Sequence, residues 1–208
     1  MFVITADQVD SRNRPDVVEI TRRDLQKRFA DGLAVPVDRN AGDEVQALTA
    51  NADTAMGIAL VLQRTEEWSI GVGCGSVRQP LPDSARAATG PAFFAARDAV
   101  AAAKKRGTRF ALRSGVDAET ARASDLEALI DLLLVIRSRR SAAGWELYDL
   151  MQQGLTQRDS AARLGISEPA VSSRARAAGI HQEAAAVPAI GRLLQDLDRR
   201  CAEAEGEQ

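Results

Sequence analysis

Asp7 and Asp10 bracket a polar loop behind an apolar opening stretch, and Asp43 and Glu44 follow Gly42 in a second polar loop. Arg97 lies on a helix that Gly90-Pro91 can open. Residues of these types suit phosphate chemistry. Asp7 follows the first strand and Asp43 sits in a hairpin turn, so if those strands are neighbours their carboxylates can share a divalent cation such as magnesium. Backbone donors of Gln8, Val9, Asp10, Ser11 and Arg12 can then meet phosphate oxygens, while Arg97 adds a two-pronged bond. The set fits a nucleotide polyphosphate. Each piece also has a plainer reading, since an aspartate after a strand often caps and a Gly-Asp pair often turns.

Residues 155–180 carry a second kind of chemistry, suited to DNA. Two short helical patterns are separated by Gly165, a turn position that a side chain would crowd. Ala161, Ala162 and Leu164 can form the inner side of the first helix, and Ala170, Val171, Ala175 and Ala178 that of the second. Ser167 can cap the second helix, with Glu168 and Pro169 in its first turn. This is the sequence form of a helix-turn-helix. Ser172, Ser173, Arg174 and Arg176 then face outward, where they can donate to phosphates or to base edges in a major groove. The competing reading is a structural hairpin whose serines and arginines merely face water.

The elements that must position these groups follow from the apolar pattern. Residues 1–6 read as a strand, a helix follows Pro15 with Val18, Leu25 and Phe29 at helical spacing, and residues 33–37 and 45–48 read as a strand pair. Asn51 or Asp53 can cap a helix ending near Leu62. Residues 68–75 form a strand whose alternating glycines leave room for a ligand or a crossing backbone. A helix over 91–105 and a strand over 108–114 complete the region. The order, strand, helix, two strands, helix, strand, helix, strand, fits an antiparallel or mixed sheet covered on one face by helices, an α+β domain over residues 1–120.

The remainder reads as helical. Residues 126–136 carry an apolar surface too broad for water, interrupted by Glu127 and Asp131, and make a connecting helix within 121–140. Residues 141–153, with Trp145, Leu147, Leu150 and Met151, support the helix-turn-helix in a domain spanning 141–208. A last helix over 187–201 has an apolar stripe that can join two copies or cover the three-helix core, and the tail from Glu203 onward reads as frayed. His181, the single histidine, begins a polar turn.

Totals narrow the class. A formal charge of −2 over 208 residues gives no global basic signature. Residues 137–181 nevertheless hold seven arginines against four acids, a formal +3, so DNA contact would be local and strengthened by dimerisation. Cys74 and Cys201 match no metal or redox spacing and read as free thiols. Neither a signal peptide nor a membrane span is legible, and a cytoplasmic location is expected.

Four blocks, in order, resemble those of the SatD family of bacterial proteins. They are T-A-D-Q-V-D-S-R at 5–12, A-G-D-E-V-Q-A-L at 41–48, W-S-I-G-V-G-C-G at 68–75 and G-P-A-F-F-A-A-R at 90–97. More distantly, over residues 1–115, their order resembles class III nucleotidyl cyclases, which implies a ferredoxin-like, cyclase-like domain. On that resemblance Asp7 and Asp43 are metal aspartates, Arg97 binds phosphate or the transition state, and Gln46 is a base contact. Phe93 stands where the cyclases present an asparagine, and it cannot donate the lost hydrogen bond. The resemblance therefore implies binding of a purine nucleotide with magnesium without efficient turnover.

Residues 156–172 separately resemble winged or sigma-like helix-turn-helix regulators, which adds Thr156, Gln157, Ser167, Glu168 and Ala170 to the DNA-contact candidates. Together the parts read as a nucleotide-responsive, dimeric DNA-binding transcriptional regulator. The alternatives are a DNA-associated cyclase or nucleotide hydrolase, and a non-catalytic interaction protein with a helix-turn-helix.

Overall fold

The structure is a computed structural model and describes residues 1–40 and 42–206. Ala41, which opens the second resemblance block, and the last two residues of the expected 141–208 domain lie outside the described residues.

The opening strand β1 (Phe2–Gln8) pairs antiparallel on both sides, with β3 (Glu44–Thr49) and β4 (Trp68–Cys74). β2 (Asp38–Asn40) borders β3, and β5 (Phe110–Ser114) runs parallel to β4, giving an open sheet ordered β2-β3-β1-β4-β5. A strand flanked on both edges is largely withdrawn from water, and residues 2–6 are all buried, with Thr5 the one polar side chain among them. α1 (Val18–Phe29), α2 (Ala52–Arg64) and α3 (Pro91–Ala103) connect the strands in the expected order. Asn51 caps α2 by accepting from the Thr54 amide at 2.9 Å.

Several boundaries differ from the sequence expectation, each because a distant partner sets them. β1 runs past residue 6, since Asp7 and Gln8 find ladder partners in Glu44, Ser69 and Trp68. Residues 33–37 are not a strand; the β3 partner is residues 38–40 instead. α1 starts three residues after Pro15, because the buried Gln8 amide donates to the Pro15 carbonyl at 2.7 Å and Asp16 accepts from the Val18 amide at 2.9 Å.

Helices cover both faces of the sheet rather than one. On one face α3 lies directly on β4, where a Cβ at Gly71 would meet Val100 N at 2.2 Å and one at Gly73 would meet Ala92 O at 2.1 Å. The alternating glycines thus admit a crossing backbone, the second of the two uses their spacing allows. Val72, which the pleat turns the other way, lines a small apolar cleft with Ala55 and Met56 of α2, Phe110 and Leu112.

The chain divides into two compact units: Met1–Asp131 with the described part of the stretch from Ile190, and Leu132–Ala189. α4 (Thr120–Ser138) begins in the first unit and ends in the second. Its interrupting acids serve the sheet. Glu127 accepts from the Leu112 amide at 2.8 Å and from Arg113 at 2.6 Å, and Asp131 accepts from Arg106 at 2.5 Å and Thr108 at 2.7 Å. Leu126, Ile130, Leu133 and Leu134 are buried, whereas Leu129 and Leu132 remain exposed.

In the second unit, α5 (Ala142–Gln152), α6 (Gln157–Leu164) and α7 (Glu168–Ala177) pack around Leu147, Ala161, Val171, Ala175 and Ala178. Ala162 and Ala170, expected on the inner side, are exposed, and Ser160 is buried in the first helix instead. α8 (Ile180–Gly206) starts well before residue 187, takes in His181 and passes through Pro188, whose missing amide leads a local reading to begin the helix late. It also extends through the expected frayed tail to Gly206. Leu194 joins the Val72 cleft, so the stripe expected to join copies or cover the three-helix core packs in the sheet unit.

Candidate functional site

In an antiparallel pair, opposed residues point to one face and successive residues to alternate faces. Asp7 stands opposite Glu44, and Thr5 opposite Gln46, so these four share a face. The Gln8 amide donates to the Asp43 carbonyl at 3.0 Å, which aligns Asp43 with Gln8 and the other face. The acid beside Asp7 is therefore Glu44. Burial lifts the Glu44 carboxyl above the usual carboxylate range; the Asn40 amide, bonded to it at 2.8 Å, opposes that rise, and Asp7 adds to it.

Both expected metal aspartates already hold partners. Lys104 Nζ donates to Asp7 Oδ2 at 2.7 Å, and Ser11 Oγ donates to Asp43 Oδ2 at 2.5 Å. A cation shared by Asp7 and Asp43 would have to displace the lysine and draw Asp43 away from Ser11. Among the described residues, no three His, Cys, Asp or Glu side chains are gathered as a metal-holding group.

Of the candidate nucleotide residues, Gln46 and Arg97 line one recess and Gln8, Ser11 and Arg12 another, while Val9 and Asp10 line neither. One, of about 240 Å³, is lined by Thr5, Asn40, Glu44, Gln46, Arg86, Thr89, Phe93, Phe94 and Arg97. On this face Ala92 and Ala96 of α3 pack against Val3 and Leu48, and the recess opens beside that contact. Gln46, buried at its base, donates from Nε2 to Thr5 Oγ1 at 3.3 Å. The other, of about 340 Å³, is lined by Gln8, Ser11, Arg12, Asp16, Arg39, Gly42 and Asp43.

The backbone donors after Asp7 are partly committed. Gln8 N–H goes to Asp43, Val9 N–H goes to the Glu67 carbonyl at 2.8 Å, and Asp10, at φ 55°, turns the loop so that its carbonyl accepts from Asn13 at 2.9 Å. What the first recess offers a ligand is accordingly side chains: two amides, two hydroxyls, the Glu44 carboxyl, two phenyl rings and two guanidinium groups. Arg86 and Phe94 belong to this set without any signal in the local sequence, since nothing near them marks the face they would share with Gln46.

No family model, curated protein or solved structure matches the chain.

The outward side of α6 and α7 carries the remaining candidates. Thr156 caps α6 in a reciprocal bond pair with Asp159, Gly165 adopts the left-handed conformation at φ 65°, and Ser167 caps α7 by accepting from the Ala170 amide at 3.4 Å. Glu168, Ala170, Ser173 and Arg176 are exposed; Ser172 is half-buried. Gln157 bonds the His181 ring at 3.3 Å, and Arg174 leans on Glu146 at 3.5 Å.

The local basic surplus is smaller than the arginine count implies. Arg137 and Arg140 are buried, and both bind Glu183, which lies just beyond the counted stretch; Arg140 Nη2 reaches it at 2.7 Å. Arg140 also donates to the Ala178 carbonyl at 2.8 Å and lies 4.4 Å over the Trp145 ring. Exposed positive charge on this unit comes instead from Arg139, Arg158, Arg163 and Arg176. No described helix is long and apolar enough to cross a membrane.

Proposed function

We propose that this chain is a nucleotide-responsive DNA-binding regulator, in which a cyclase-like sheet unit binds a purine nucleotide without efficient turnover and α6–α7 act as a helix-turn-helix. The antiparallel order β2-β3-β1-β4, with α1 and α2 as crossings, supports a ferredoxin-like sheet to which α3 and β5 are added. A kinship with the SatD family belongs to the same proposal. The recess that joins Gln46, Phe93, Phe94 and Arg97 is the observation that carries it. A phenyl ring stacks on a base, an amide both donates to and accepts from a base edge, and a guanidinium takes a phosphate in two bonds.

Magnesium, arriving with the nucleotide, would meet Asp7 in place of Lys104, and Asp43 would join it only by leaving Ser11 and turning to the face that Asp7 shares with Glu44. Phe93 supplies surface but no hydrogen bond, which favours binding over ring closure. The nucleotide regulates DNA contact only if it prefers one arrangement of the protein over another, and α4, shared by both units, is the proposed relay. Two copies would double the phosphate contacts of a weakly basic module.

Calorimetry with ATP and GTP in magnesium tests the recess. Arg97→Ala is expected to weaken binding by about tenfold or more, since a bond to a charged group contributes roughly 1.5–3 kcal/mol. Gln46→Leu should erode the preference between the two bases. Absence of binding to either nucleotide, or binding indifferent to both substitutions, sinks the reading.

The groove-facing residues are tested by anisotropy with duplex DNA across a salt series. Arg176→Ala should weaken binding and flatten the logarithmic salt slope by about 0.9, as expected for one lost phosphate contact. Arg174→Ala should do the same less strongly, because Glu146 already holds that side chain. Unchanged affinity and slope in both variants would remove them from the interface.

A further inference from the structure

We propose that Cys74 and Cys201 form a dithiol site that a hydroperoxide oxidises to an intramolecular disulfide between β4 and α8. Two contacts and one strand pairing bring the two sulfurs into one neighbourhood. Cys201 Sγ lies 3.5 Å from Ser114 Oγ, and Ser114 is the register partner of Cys74 across the β4–β5 ladder. Cys74 Sγ reaches Asp198 Oδ1 at 3.7 Å, and Asp198 stands one helical turn before Cys201 on α8. Side chains at directly paired strand positions share a face, so α8 brings its cysteine down onto the one that Cys74 occupies.

The two thiols have different tasks. The neighbouring Cys74 thiol holds the Cys201 thiol down to about 7, with burial opposing and Ser114 helping. Cys201 in turn pushes the Cys74 thiol upward, and burial adds to it. Cys201 is therefore the thiolate that attacks and Cys74 the thiol that resolves. The Cys201 sulfur attacks one peroxide oxygen and the O–O bond breaks, leaving a sulfenic acid and, after protonation, one water or alcohol. Cys74 sulfur then attacks Cys201 sulfur, the S–O bond breaks, and the hydroxyl leaves as water with the Cys74 proton. Two electrons pass from the sulfurs to the peroxide.

Both cysteines are buried, which selects for an oxidant no larger than a small hydroperoxide. Entry comes by local opening of the end of α8, where Glu203 and Gly206 are exposed. The product would tie the last helix to the sheet across most of the chain length.

The test treats the folded full-length chain with hydrogen peroxide and follows free thiols, intact mass and a non-reducing peptide map. Both thiols should disappear together, the mass should fall by two hydrogens, a Cys74–Cys201 peptide should be recovered, and dithiothreitol should reverse all three. In Cys74→Ser the reaction should stop at one added oxygen on Cys201, trapped by dimedone; Cys201→Ser should react far more slowly. Thiols that stay titratable in the folded wild-type chain, or bridges found only between molecules, overturn the proposal. The wild-type peptide map decides the outcome even if a serine variant misfolds.

Discussion

Glu183→Ala is expected to unfold the helical unit. Its carboxylate is the shared partner of Arg137 and Arg140, whose side chains are 2% and 0% exposed, and alanine would leave two guanidinium groups buried without their anion. Breaking a buried pair from one side costs about 3–5 kcal/mol, a large part of a small domain's stability. The aromatic faces of Trp145 and Tyr148 soften that cost but carry no full charge to replace it. Hydrogen exchange by mass spectrometry reads each unit separately. Protection should be lost across α5–α7 and retained in β1, β3 and β4. Replacing all three charged residues with apolar ones of similar size should restore most of the protection, since the desolvation demand then disappears with the charges. Unchanged protection in Glu183→Ala would mean the three charges contribute no more than a surface pair.

Gly73→Ala should be the most damaging single-methyl change in the sheet unit. The added carbon would lie 2.1 Å from the Ala92 carbonyl oxygen and 2.4 Å from the Ala96 amide nitrogen. Both are α3 backbone atoms, so no rotamer change relieves the clash and the helix has to lift from β4. Overpacking of this kind costs about 1–3 kcal/mol, more where backbone must move. Phe93 and Arg97 ride on the same helix, so the nucleotide affinity proposed for the recess should fall together with the urea midpoint. Gly107→Ala is the matched control, because nothing lies within 4 Å of its added carbon. A Gly73→Ala protein with the wild-type midpoint would show that α3 is not seated on β4 as tightly as these distances require.

The glycine case marks one limit of sequence reading. Alternation in residues 68–75 announced a close approach, but whether a ligand or a backbone approaches depends on α3, which begins at Pro91. The paired acids mark another. Asp7 and Asp43 looked equivalent as loop carboxylates; the ladder register sets Glu44 opposite Asp7 and brings Lys104, 97 residues away, onto it. A one-residue difference in parity moves a side chain to the other face, and no local pattern encodes which register two distant strands adopt.

Short-range physics made the order of strands and helices, the turn at Gly165 and the caps Ser167 and Asn51 readable from the amino-acid order, because each depends on residues within one turn of itself. Tertiary structure alone decided that α8 from Ile190 onward packs in the sheet unit, that Glu183 neutralises Arg137 and Arg140, that Gln46 and Arg97 face one recess, and that Cys201 meets the partner of Cys74. These are meetings between segments tens of residues apart, selected by which faces must leave water together.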